Sequence, residues 1–144
     1  MKAAVLNSVP GTLDIEEIEI GEPGPREVLI RTAAAGICHS DLHFMEGKYP
    51  FPCPAVLGHE SAGVVEAVGS MVHYVQPGDH VIPLYTPECR ECEYCLNPKT
   101  NLCQKIRSTQ GAGVMPDGTS RFSMLDGTPI LHYMGCSTFS NHTV

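Results

Sequence analysis

Four of the seven cysteines fall within fifteen residues: Cys89, Cys92, Cys95 and Cys103, spaced C-x2-C-x2-C-x7-C. Four thiolates can close a tetrahedral shell around Zn²⁺ with no open position, the arrangement of a structural metal site. Two-residue gaps let successive sulfurs turn toward one centre, and backbone N–H groups in such tight turns stabilise the sulfur charge. A divalent cation in four thiolates keeps a net double negative charge, and Arg90, Lys99 and Lys105 stand close enough along the chain to offset it. The plain alternative is four reduced, buried thiols without metal. A nucleic-acid zinc module fits less well, because the segment has as many acids as bases and almost no aromatic residues.

A second set of reactive residues lies in two pieces. Gly36-Ile37-Cys38-His39-Ser40-Asp41-Leu42-His43 follows an apolar stretch, and Gly58-His59-Glu60 precedes another. Cys38 and His59 offer one thiolate and one imidazole, ligand types of catalytic zinc sites that keep a position for water or substrate. Glu60, beside His59, is placed to tune such a metal as a supporting carboxylate. Singly, each has an ordinary reading: a lone Cys is a small buried hydrophobe, and His43 is a surface residue. The remaining thiols, Cys53 and Cys136, read as buried apolar residues.

These residues need elements to hold them, and the elements are mostly of period two. EVLIRTAAAG, SAGVVEAVG and DHVIP read as strands, and Leu13, Ile15, Ile18 and Ile20 punctuate a further, imperfect one. Pro10-Gly11, Pro23-Gly24-Pro25 and Pro77-Gly78-Asp79 separate them as turns. Short, regularly spaced strands with such punctuation predict a β barrel or sandwich. Short helical pieces are expected at Ser40–Met45 and Cys92–Leu96. The segment Tyr85–Arg107, rich in Cys, Glu and Pro, is expected to project from a single domain spanning residues 1–144. With 42% hydrophobic and 17% charged residues, the composition is that of a folded chain. The net charge of −7 argues against a nucleic-acid partner, and no apolar run is long enough for a membrane helix. The N-terminal apolar stretch is too short for a secretory signal, so a cytoplasmic setting is expected.

Four motifs in order, GICHSDLH, LGHESAGVVEAVG, PGDHVI and CRECEYCLNPKTNLC, resemble the zinc-dependent medium-chain alcohol dehydrogenases. The likeness is to their N-terminal catalytic domain, a mainly β, GroES-like partly open barrel with short helices and a projecting zinc lobe. It implies Cys38 and His59 as catalytic-zinc ligands and Cys89, Cys92, Cys95 and Cys103 as the structural set. It implies further that Ser40 bonds the reacting alcohol, that His43 relays its proton to solvent, and that His39 meets the pyrophosphate of NAD. From Cys103 onward, QKIRSTQGAGVMPDGTSRF and ILHYMGCSTFSNHTV resemble the class III members, the glutathione-dependent formaldehyde dehydrogenases. That likeness implies that Arg107 pairs with a carboxylate of S-(hydroxymethyl)glutathione, as a guanidinium fork is shaped to do. A solvated Arg107, or one paired with the acidic lobe, is the alternative.

The segment LHFMEGKYPFPCPAV is more like members acting on ordinary primary alcohols. There Leu42, Phe44, Tyr49 and Phe51 suit either an apolar pocket or the core. The family's third catalytic ligand, a Cys, and its Rossmann domain have no counterpart in these residues. Turnover by the chain alone is therefore not expected, whereas self-association or docking to a Rossmann domain is. The alternatives are a non-catalytic zinc-binding module and a fragment that complements a separate Rossmann chain.

Overall fold

All 144 residues are described in the computed structural model. The strands are β1 (Lys2–Leu6), β2 (Leu13–Ile20), β3 (Val28–Ala35), β4 (Ala55–Val56), β5 (Ser61–Val68), β6 (His80–Val81), β7 (Phe122–Met124), β8 (Pro129–His132) and β9 (His142–Thr143). The helices are α1 (His39–Met45), α2 (Glu93–Leu96) and α3 (Gln104–Gln110), with a 3₁₀ turn at Thr100–Leu102.

The expected partly open barrel resolves into two parts. Five strands close a ring in the order β1-β2-β7-β8-β4, and β6-β5-β3-β9 form a separate open sheet. The ring closes because β4, two residues long, pairs antiparallel with β1 and parallel with β8. Ala55, Val56 and Leu57 are fully buried as a result. The ring's interior is filled by Ala3, Val5, Ile18, Val56, Phe122 and Ile130. A second cluster of Leu6, Leu57 and Tyr133 adjoins Phe44 and Phe51.

Strand β2 shows where period two fails. Its apolar residues slip phase between Ile15 and Ile18, and the ring takes the second phase: Ile18 is fully buried, while Ile15 is 71% exposed. In the open sheet, β3 and β5 pair antiparallel from Val28↔Val68 to Ala35↔Ser61, with irregularities at Leu29/Ile30 and Thr32/Ala34. The two expected helices are present, α1 starting at His39 and α2 at Glu93. Helix α3 was not anticipated. It starts directly after Cys103 and buries Ile106. No helix is long and apolar enough to cross a membrane.

Arg121 ties the ring to the loop before β3. Its guanidinium donates two bonds to Glu27, at 2.7 and 2.8 Å, and one to Asp117 at 2.6 Å. This fork, assisted by Thr119, holds the Asp117 carboxyl down at about 2. The Arg121 backbone N–H donates to Nε2 of His132 at 3.0 Å. His132 is fully buried and stacked on Phe122 with ring centres 4.4 Å apart. Burial first, and the Arg121 charge second, push its pKa down from 6.5 to about 4.

The folded state thus keeps His132 neutral while the unfolded chain takes up a proton below pH 6.5. Stability should fall by about 3 kcal/mol as pH drops from 6.5 to 4, and then level off for this group. Urea unfolding across that range should show this slope, and His132→Gln should flatten it.

Candidate metal centres and active site

Cys38 begins α1 as its N-cap, with extended backbone at φ −94° and ψ 149°. Three residues on, the Asp41 carboxylate turns back to accept the Cys38 N–H at 3.1 Å, the carboxylate half of a capping box. Asp41 is also 1% exposed, and it accepts the Gly58 N–H at 3.3 Å. Its Oδ1 lies 3.6 Å from Nδ1 of His59. One buried acid therefore joins the loop bearing Cys38 to the turn bearing His59.

That turn requires glycine. Gly58 has φ +87°, and a Cβ there would sit 2.6 Å from Phe139 Cδ1 and Thr138 Oγ1. Gly36 clears space in another way, because a Cβ on it would overlap the Glu60 carboxylate. Donor atoms of Cys38, His59 and Glu60 consequently lie within 4.8 Å of one another. Glu60 stands among the donors rather than behind them. A thiolate, an imidazole and a carboxylate form a donor set suited to zinc, and a carboxylate facing the second nitrogen of His59 is the usual orienting partner of a metal-bound histidine.

Nδ1 of His59 itself is buried without a hydrogen-bond partner, and so are Oγ of Ser40, Nδ1 of His43 and Oη of Tyr133. The Tyr133 ring stands edge-on to His59 at 5.4 Å, and Tyr85 does the same at 5.8 Å. Burial pushes the Tyr133 phenol up to about 12, so it is a neutral hydroxyl. Phe44 and Phe51 back Tyr133 with ring centres at 4.8 and 5.6 Å, which makes them walls continuous with the core. Leu42 and Tyr49 are exposed. His39 is exposed, its ring 4.8 Å from that of His43.

Arg107 lies on α3, exposed and without an ion pair, so it is not a partner of the acidic lobe. With Thr86, Asn101 and Gln110 it lines a cavity of about 260 Å³. Gln110 links this cavity to the aromatic wall, donating to the backbone oxygens of Tyr85 at 2.8 Å and Met134 at 3.0 Å.

In the lobe, all four sulfurs lie within 4.8 Å of one another. Cys92 and Cys95 are 3.5 Å apart and Cys89 and Cys95 are 3.9 Å apart. These straddle the edge of about 3.8 Å that a tetrahedron with Zn–S bonds near 2.3 Å requires. They are far longer than a disulfide, and all seven cysteines are free. Cys89 Sγ accepts the N–H groups of Glu91 at 3.4 Å and Cys92 at 3.3 Å. The backbone N–H groups of Cys95 and Gln104 draw the Cys92 thiol down to about 6, while burial drives Cys95 up to about 12.

Of the cations expected to offset the thiolates, Lys105 is held mainly by Glu91 but also feels the charge of Cys89. Arg90 turns to Glu88 and lies over the Tyr74 ring, and Lys105 shares Glu91 with Arg26. Backbone N–H groups add to that offset. Cys136 is buried, its thiol raised to about 12 by burial, and Cys53 packs on the Tyr133 cluster; neither joins a donor set.

Asp41, Tyr85 and Tyr133 were not singled out by sequence. Only Asp41 carries a signal there, as an acid three residues after a candidate N-cap.

A β ring with an attached sheet, a four-sulfur lobe and an accessible Cys–His–Glu pocket defines the zinc-binding β domains of dehydrogenases. Residues 24–127 match the alcohol dehydrogenase GroES-like domain, and the chain belongs to that family. It is 61% identical over 144 residues to the alcohol dehydrogenase class-3 of Cereibacter sphaeroides, covering 99% of this chain and 38% of that protein. It is 58% identical, with the same coverage, to the S-(hydroxymethyl)glutathione dehydrogenase of Paracoccus denitrificans. Among solved structures, an alcohol dehydrogenase zinc-binding domain protein from Burkholderia ambifaria superposes with a TM-score of 0.90 at 37% identity, over 98% of this chain and 38% of that one. Benzyl alcohol dehydrogenase from Acinetobacter calcoaceticus gives 0.86 at 32% identity, over 98% and 37%. The chain spans about 38% of the length of the curated relatives it matches.

Two zinc-binding steps of different strength should appear on titration of the chain, the tighter at the lobe. Metal analysis should show that Cys38→Ser and Cys95→Ser lose metal independently, with Cys95→Ser losing more folded structure by circular dichroism. Asp41→Ala strands two backbone donors in the interior. It should cost about 3 kcal/mol in chemical unfolding and weaken the Cys38 centre roughly 10–100-fold.

Proposed function

We propose that this chain is the alcohol-binding domain of a zinc- and NAD-dependent dehydrogenase that oxidises a primary alcohol, with S-(hydroxymethyl)glutathione as its substrate class. The observation that carries this reading is the unpartnered Ser40 hydroxyl beside the convergent donors of Cys38, His59 and Glu60. Those three residues would hold the reactive zinc, and Cys89, Cys92, Cys95 and Cys103 the structural one. When bound, zinc supplies Lewis acidity toward an oxygen and NAD supplies the hydride acceptor.

The chain's own residues do the rest. Ser40 Oγ would take the alcohol proton as it gives up its own hydroxyl proton toward His43, one turn along α1, which passes a proton outward as general base. His39, exposed at the start of the same helix, is the contact for the pyrophosphate. Tyr85, Tyr133 and Phe44 keep water from the reacting carbon. Arg107, unpaired over its polar cavity, takes the carboxylate of the glutathione moiety. Ile37 and Ile82, each 80% exposed, and Leu84, 62% exposed, leave apolar surface near Cys38 and Tyr85. That surface suits docking of a Rossmann domain or self-association. Seven free thiols suit a reducing compartment, and the cytoplasm is the setting proposed.

The test is a chimera in which this chain replaces the matching segment of the Cereibacter class-3 enzyme. It should form NADH with S-(hydroxymethyl)glutathione. Ser40→Ala should lower kcat/KM by about 100-fold at unchanged zinc content. Arg107→Ala should raise KM for the glutathione adduct about tenfold and leave a simple primary alcohol unaffected. A chimera loaded with zinc at both centres that turns over neither substrate overturns the reading.

A further inference from the structure

The last turn of α1 carries a charge that helix stability does not explain. Glu46 forms its C-terminal cap, where a carboxylate meets the negative end of the helix dipole. The chain then reverses through a two-bond turn. Gly47 N–H donates to Phe44 O at 3.0 Å and Lys48 N–H to His43 O at 2.9 Å, with Gly47 at φ +74°. This reversal folds Lys48 back over the turn that carries His43. Glu46 Oε2 lies 3.9 Å from Nδ1 of His43 and 2.6 Å from Nζ of Lys48. That Nδ1 is buried and has no hydrogen-bond partner. The other titratable groups on the ring are His39 and Tyr49, both edge-on, at 4.8 and 5.4 Å between centres. Lys48, by hydrogen bond and charge, holds the Glu46 carboxyl below its ordinary range, so it is ionised at neutral pH.

We infer that Glu46 is a positioning residue for His43: its carboxylate, 3.9 Å from Nδ1 and held at 2.6 Å by Lys48, steadies the imidazole from the outer side. This rests on the reading of His43 as the base that passes the alcohol proton outward. A proton arriving at the ring makes a cation at the end of α1. Glu46 is the anion within reach of it, and the proton leaves to water without any further bond being made or broken. A solvated Glu46–Lys48 pair with no bearing on His43 is the competing account.

The two are separated by NMR titration of ¹⁵N-labelled imidazoles in the 144-residue chain. Glu46→Gln should lower the His43 midpoint by about half a pH unit, the scale of a water-screened pair at this distance. Lys48→Met should raise it by a similar amount, Glu46→Asp should restore part of the wild-type value, and His39 should move less. Opposite shifts in the first two variants support the inference. Unmoved midpoints, or shifts of the same sign, overturn it. The readout needs neither NAD nor turnover, so it stands apart from the dehydrogenase reading. In the chimera, a low-pH limb of kcat that ignores a shifted His43 midpoint counts against His43 as the base, and so against that reading instead.

Discussion

A carboxyl group withdrawn from water must be met by hydrogen-bond donors, and Asp41 accepts two backbone N–H groups, with Nδ1 of His59 standing 3.6 Å away. Those partners belong to stretches of chain that are remote in sequence. Satisfying the acid therefore brings the Cys38 loop and the Gly58 turn together, and the donors of the pocket with them. The bonds run to main chain, so the spacing of the two segments does not depend on a flexible side chain finding one rotamer.

The sheet supplies the rest of that rigidity. Ala35 pairs with Ser61 at the end of the β3–β5 ladder, and Gly36 N–H donates to Glu60 O at 2.9 Å one step further. Cys38 and His59 thus leave adjacent ends of two paired strands. The lobe is attached separately, through Glu91, which reaches Arg26 and Lys105 at once. Arg26 neighbours Glu27, which Arg121 holds to the ring. Two ion pairs, joined through the Arg26–Glu27 peptide, run from lobe to barrel, and the two donor sets share a frame without sharing a side chain.

Strands β3 and β5 were legible because eight residues of alternating or continuous apolar character outlast local ambiguity. Strand β6 was legible within DHVIP, but β4 and β9 are two residues long and no apolar run announces them, so ring closure by β4 could not be read. Helix α3 was hidden because its first turn abuts Cys103 and only Ile106 marks its buried face. The four-sulfur lobe was plain from spacing, since ligand chemistry dictates sequence there directly. Asp41 was passed over because its role lies in the backbone groups it reaches, which no side-chain pattern records. The position of Glu60 depends on the missing Cβ of Gly36, a relation visible only across strands.

Tyr133 belongs to two structures at once. Its ring faces His59 in the pocket and packs with Leu6 and Leu57 in the interior. Any change of size there alters the shape offered to a ligand and the packing of the barrel together. Tyr85 faces the same histidine but is 47% exposed and carries no such double duty. Position 85 can therefore change its side chain at little cost over generations, whereas position 133 yields only when compensating changes arrive behind it.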